Sequence, residues 1–149
     1  LKDINDPNIY YDIYGDGSFK KNIKDLIQNY KLENQIKLKG ICNFPESFLI
    51  KYDLFILLSK GEAFPIAPLE AMSCGLPVIV SKDKPYNEFI SEKCGILVDP
   101  DSQNDILDAI MFMKNKSKRL KLGLAARNVI INSFSLKLMK DKYLELIHN

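Results

Sequence analysis

Short apolar runs alternate with helix-period segments along most of the 149-residue chain. Residues 9–15, "IYYDIYG", read as a strand that ends in the turn Gly15-Asp16-Gly17. Ser18 is placed to cap a helix whose Ile23, Leu26, Ile27 and Tyr30 share one face. Residues 35–40, "QIKLKG", alternate as a short strand, and residues 45–52 form about two helical turns. Residues 53–59, "DLFILLS", are nearly uniform in hydrophobicity, the pattern of a central parallel strand buried on both faces. A helix starting near Pro65 or Pro68 ends at Gly75, a natural C-cap. Residues 77–81 then make a strand, 86–93 a short helix, and 95–99 the last strand.

Beyond residue 100 the pattern becomes helical throughout. Ser102-Gln103-Asn104-Asp105 opens a helix in capping-box form, with Ile106, Ile110 and Met113 along its core stripe. A second helix covers residues 117–131, and Ser135 caps a third with Leu136, Met139, Tyr143 and Leu146 near one face. Strands alternating with helices at these intervals predict an α/β fold, a doubly wound parallel sheet. Ligands of such sheets bind beyond the carboxyl ends of the strands, here at loops 15–18, 40–44 and 60–67.

Composition narrows the classes. The length suits one domain with a full core. With 21 basic and 19 acidic residues, a net charge of +2 describes a mixed surface and calls for no nucleic acid partner. Apolar runs are too short for a transmembrane segment, and no signal-peptide pattern opens the chain. Cys42, Cys74 and Cys94 form neither a disulfide framework nor a metal pair, which predicts a reducing, cytoplasmic setting. The sole histidine, His148, is next to last, so zinc chemistry and a Ser/His/Asp triad lack parts. The chain opens on Leu1, as expected of a piece of a longer protein.

Candidate chemistry concentrates in "KGEAFPIAPLEAMSCGLPVIVS", residues 60–81. Glu62 follows a buried strand, and Glu70 is expected in the first turn of the next helix. The N–H groups of that helix start form a ready anion site, suited to a pyrophosphate. Two carboxylates beside it would accept hydrogen bonds from hydroxyls, so a diphosphate flanked by two polyols, a nucleotide sugar, fits all three features. On residue physics alone, Glu70 serves equally as a dipole-complementing carboxylate, and Glu62 as a solvated loop residue. Gly15-Asp16-Gly17 is a tight turn before it is a phosphate cradle, since the third glycine of a dinucleotide fingerprint is missing. Lys60, Lys82 and Lys84 lie near strand ends, where lysines are usually solvated.

Glu62 and Glu70, with Phe64, Pro65, Ala71, Met72, Gly75, Pro77 and Val78, resemble the E-x7-E signature of group 1 glycosyltransferases. These are retaining enzymes of the GT-B fold, sequence family four. The order "IYGDGS", "IKLKGIC", "DLFILLS", signature, "PYNEFI", "CGILVDP" fits as well, and "FSLKLMKDKYLELI" resembles their closing helix. The resemblance implies that Glu70 binds the donor's ribose hydroxyls and that Glu62, the candidate for the catalytic position, contacts the sugar. It implies that main-chain amides of Phe64, Pro65, Ile66 and Ala67 approach sugar and diphosphate, and that Ile41, Cys42 and Asn43 lie against the base. Glu88 matches a frequent acidic position, where a structural role serves equally. A nucleotide-sugar donor is implied, with no cofactor and no metal, and a glycan or lipid-linked acceptor held by an N-terminal domain absent here. Peripheral membrane association of the parent protein is compatible with this. One further strand and helix, with an arginine and a lysine for the diphosphate, would precede Leu1. Alanine at position 63, where glycine is commoner, is expected to stiffen the loop. A nucleotide-sugar epimerase would need a histidine missing from the crevice loops. A receiver-like signalling module would need an aspartate ending a central strand, whereas Asp53 begins one.

Overall fold

A computed structural model describes residues 1–43 and 46–148. Phe44 and Pro45, and with them the start of the expected helix over 45–52, fall outside the described residues. The chain divides into two compact units, Leu1–Pro45 and Glu46–Asn149.

In the first unit, β1 (Tyr11–Tyr14) pairs parallel with β2 (Ile36–Gly40), and α1 (Lys20–Asn29) connects them. Ile27 is the buried residue of α1, whereas Leu26 and Tyr30 of the expected apolar face remain about half exposed. Ser18 does not cap this helix. The N-cap is Phe19, whose side chain accepts nothing. Asp16 settles the preceding turn by taking the Gly17 amide at 2.8 Å and the Lys20 ammonium at 2.8 Å. The helix ends in a Schellman arrangement: the Leu32 amide donates to the Ile27 carbonyl and the Lys31 amide to that of Gln28.

The second unit runs α2 (Glu46–Leu49), β3 (Phe55–Leu57), α3 (Ile66–Ser73), β4 (Val78–Ser81), α4 (Tyr86–Phe89), β5 (Gly95–Val98), α5 (Gln103–Met113), α6 (Lys116–Ser133), α7 (Leu136–His148). Its sheet has the order β3-β4-β5, all parallel, in the register Ile56↔Ile79↔Ile96. The central strand is β4 rather than the more uniformly apolar β3. All four residues of β4 are fully buried, whereas β3 is only partly so.

Side-chain alternation along β4 divides the core in two. Val78 and Val80 pack with Met72, Leu76, Tyr86 and Ile90, so α3 and α4 lie over one face. Ile79 packs with Val98, Ala109, Met113 and Leu122, so α5 lies over the other. Helices on both faces of an all-parallel sheet make this a doubly wound, Rossmann-like α/β unit. The capping signals at Ser102 and Ser135 hold, their Oγ atoms accepting from the Asp105 and Leu138 amides. Helix α6 has a cap the sequence reading did not name, Asn115 Oδ1, which accepts from the Lys118 amide.

Two close contacts hold the frame. At Gly123 the backbone of α6 approaches the C-terminal end of α3 so closely that an added Cβ would lie 2.1 Å from the Gly75 carbonyl oxygen. Gly75 itself closes α3 at φ +79°. Between the strand ends, Ser81 Oγ donates to the Ser59 carbonyl at 2.7 Å, and Ser59 Oγ lies 2.7 Å from the Tyr86 hydroxyl. Burial raises the Tyr86 pKa above that of a free tyrosine; its bond to Ser59 opposes this, and the Glu62 and Asp83 carboxylates add to it.

Gly123→Ala should destabilise the chain by about 1–3 kcal/mol, the range for overpacking. Alanine in an unhindered helix would instead stabilise by about 1 kcal/mol. Urea unfolding beside the exposed control Asn128→Ala reads the sign, and a gain in stability would refute the close approach. Tyr86 generates a pH dependence. Its folded pKa lies above its unfolded one, so the contribution is complete below about pH 10 and is lost as pH rises through the folded value. Tyr86→Phe should cost about 0.5–1.5 kcal/mol at pH 7 and flatten the alkaline fall. Chemical denaturation from pH 8 to 11 checks both, and an alkaline fall as steep as wild type would refute the assignment.

Candidate functional site

Every loop predicted to face a ligand leaves the carboxyl end of its strand. Gly15 and Ser18 follow β1, and Ile41, Cys42 and Asn43 follow β2, all exposed and all in the first unit. Phe44 of the expected loop lies outside the described residues. Residues 60–67 follow β3 in the second unit and carry the two glutamates.

The start of α3 differs from the expectation in a way that matters. Pro65 is the N-cap, buried and extended at φ −78° and ψ 117°, and no side chain caps the helix. Of the four amide positions that a helix start leaves without an intrahelical partner, Pro65 and Pro68 have no N–H. The donors are therefore Ile66 and Ala67, both exposed. Pro65, named among the amides by resemblance, cannot serve as one.

Glu70 is the fifth residue of α3 and not in its first turn. A dipole-complementing role loses force, since that effect fades beyond the first turn. The position suits a ligand better. Helical side chains lean toward the N-terminus, and Glu70 stands i+4 from Ile66 and i+3 from Ala67, over the two donors. The opposite face, with Pro68, Ala71 and Met72, is buried.

Glu62 is exposed on the loop between β3 and α3. Gly61 supplies the left-handed turn at φ +71°, while Ala63 is not among the positive-φ residues. Alanine at position 63 is therefore held without positive φ. The Phe64 ring packs on Phe89 at 5.9 Å and Phe134 at 6.4 Å and stays half exposed.

Charges around the strand ends sort into two sets. Lys82 pairs with Asp99 at 2.7 Å, and Lys60 pairs with Asp101. Accordingly Asp101 raises the Lys60 pKa, and Lys82 and Asp99 push each other's pKa apart, the lysine up and the aspartate down. These lysines are occupied. Neither the Glu62 nor the Glu70 carboxylate has a hydrogen-bond or ion-pair partner among the described residues.

Both arginines of the chain are engaged elsewhere. Arg119 donates to the Met113 and Lys114 carbonyls and to Asp53, and Arg127 donates to the Ser73 carbonyl. Asp53 thus sits before β3, away from the site loops, where a receiver-like role has no support. Glu88 is exposed in the first turn of α4. Among the described residues no group of three or more His, Cys, Asp or Glu could hold a metal ion, and no helix is long and apolar enough to cross a membrane.

Sequence reasoning missed the Tyr86–Ser59–Ser81 link behind the Glu62 loop. A tyrosine within a helical pattern carries no local sign that its hydroxyl reaches a serine 27 positions earlier.

Comparison with known proteins places this geometry in context. Residues 1–129 match the family model of glycosyl transferases group 1. The chain is 29% identical over 141 residues to the O-antigen biosynthesis glycosyltransferase WclY of Escherichia coli, covering 95% of this chain and 39% of that protein. It is 31% identical over 148 residues to a poly(ribitol-phosphate) alpha-N-acetylglucosaminyltransferase of Staphylococcus aureus strain COL, covering 97% of this chain and 30% of that one. Its fold superposes with a TM-score of 0.87 on crystalline S. aureus TarM in complex with Fondaparinux, alpha-GlcNAc-glycerol and UDP. That match has 28% identity and covers 99% of this chain and 31% of TarM. The chain thus spans well under half the length of these relatives. It belongs to the group 1 glycosyl transferases, and its α/β unit is of the GT-B type.

Proposed function

We propose that this chain is the donor-binding part of a retaining glycosyltransferase acting in cell-surface glycan synthesis. The parent reaction moves a sugar from a nucleoside diphosphate to an acceptor hydroxyl. The bond from the anomeric carbon to the diphosphate oxygen breaks with its electron pair leaving on the diphosphate. The acceptor oxygen bonds to that carbon from the same face, and its proton passes to the departing diphosphate. The observation that carries this reading is the pair of carboxylates, Glu62 and Glu70, that have no partner among the described residues, beside a helix start with no side-chain cap and two first-turn amides.

Each group has a physical task. The Ile66 and Ala67 amides, at the positive end of α3, meet the diphosphate and stabilise the charge that grows on it as the bond breaks. Glu70, one turn along over those amides, accepts hydrogen bonds from the ribose hydroxyls. Glu62, on the loop ahead, accepts from the sugar and orients it. Charged acceptors make the stronger hydrogen bonds, and a polyol satisfies both oxygens of a carboxylate. The base contact assigned to Ile41, Cys42 and Asn43 rests on the family resemblance. Uridine is the default base, supported by the UDP bound in the TarM complex. The acceptor falls to a part of the parent protein outside this chain.

Two measurements test this reading. Titration calorimetry with uridine, guanosine and adenosine diphosphates and their sugars should show binding by the folded chain that survives a chelator. No binding to any of them at millimolar ligand would reject a preformed site, and binding abolished by chelator would reject its metal-free character. Glu70→Ala should lower donor affinity by about 1.5–3 kcal/mol, the range for a hydrogen bond to a charged group, and leave fold stability nearly unchanged. Stability lost with affinity intact would return Glu70 to a structural role.

A further inference from the structure

The loop carrying Glu62 is pinned at both ends by one short helix, α4. Tyr86, its first residue, is fully buried, and its hydroxyl lies 2.7 Å from Ser59 Oγ at the root of the loop. Phe89, its last residue, packs against Phe64 at the far end, with ring centroids 5.9 Å apart. The Tyr86 and Phe89 rings themselves lie 6.4 Å apart, so the two anchors form one unit.

Between the anchors little freedom remains. The Ser59 carbonyl accepts from the fully buried Ser81, Lys60 is paired with Asp101, and Gly61 makes the left-handed turn. Glu62 comes next. Aliphatic packing would hold the loop against the sheet but would fix no direction. A hydrogen bond between two hydroxyls specifies both distance and angle.

We propose that Tyr86 is a positioning residue. Its hydroxyl, bound to Ser59, fixes the root of the loop and so sets where the Glu62 carboxylate meets the hydroxyls of the donor sugar. This rests on the donor-site reading of Glu62. Tyr86 touches no ligand in this scheme, because it is buried behind the loop. Its influence falls on the sugar, not on the diphosphate, whose amides belong to α3.

The test compares affinity for uridine, guanosine and adenosine diphosphates with affinity for their hexose conjugates, by calorimetry on the folded chain. The readout is the ratio between conjugate and bare diphosphate. Tyr86→Phe and Ser59→Ala remove the same bond from opposite sides, and each should shrink that ratio by about two- to tenfold, the worth of one neutral hydrogen bond. Affinity for the bare diphosphate should stay unchanged. The two changes combined should do no more than either alone, and neither should add to Glu62→Gln. If Glu62→Gln shrinks the ratio while both hydroxyl variants leave it intact, the positioning role is wrong and the donor reading stands. An equal fall for diphosphate and conjugate would make Tyr86 merely structural. If Glu62→Gln leaves the ratio at its wild-type value, the donor reading of Glu62 fails and the positioning role fails with it.

Discussion

Burial of β4 on both faces is the constraint from which the second unit follows. Val78, Ile79, Val80 and Ser81 are all fully buried, so the strand needs helices above and below and strand partners on either side. That requirement recruits α3 and α4 to the Val78 and Val80 face and α5 to the Ile79 face. It also explains why the only polar member, Ser81, spends its hydroxyl on the Ser59 carbonyl, since a buried hydroxyl without a partner would cost about 1–3 kcal/mol. Satisfying β4 thereby ties down the end of β3. The root of the Glu62 loop is fixed as a by-product of solving the core.

The same economy shows in the charges. Two of the three lysines near the strand ends are neutralised by neighbours, Lys60 by Asp101 and Lys82 by Asp99, while Lys84 is exposed. The arginines are used on carbonyls and on Asp53. What remains open to a ligand is two carboxylates and two backbone amides. Such a set takes hydroxyls and one anionic group. The proposed sugar diphosphate presents both kinds of group.

Most of the fold was legible in the sequence because its signals are local. The period-2 and period-3.6 patterns gave the order of the elements. The capping residues Ser102 and Ser135 read correctly, and the glycine stop at Gly75 does too, one residue past the C-cap Cys74, since a cap depends on residues within one turn. Ser18 failed for a related reason. Asp16 already takes the Gly17 amide, and the helix begins later, behind Phe19. The centrality of β4 over β3 was not legible, because uniform apolarity is shared by the two runs and only the pairing partners decide it. The E-x7-E pair located the candidate site, yet its geometry required the true start of α3, which two prolines left ambiguous.

Those prolines shape the helix start in a way the motif alone does not show. At Pro65 the ring fixes an extended backbone at the cap, and at Pro68 it removes the third-position donor while packing into the core. A helix start with four free amides would hold an anion in several orientations and would welcome water equally. With donors only at Ile66 and Ala67, an anion held there as proposed would lie near the turn that carries Glu70. The spacing from Glu62 to Glu70 therefore acts through α3: it places the loop carboxylate ahead of the amides and the helical one a turn behind them. On the proposed donor reading, that order matches hydroxyls, phosphate and hydroxyls along the length of a nucleotide sugar.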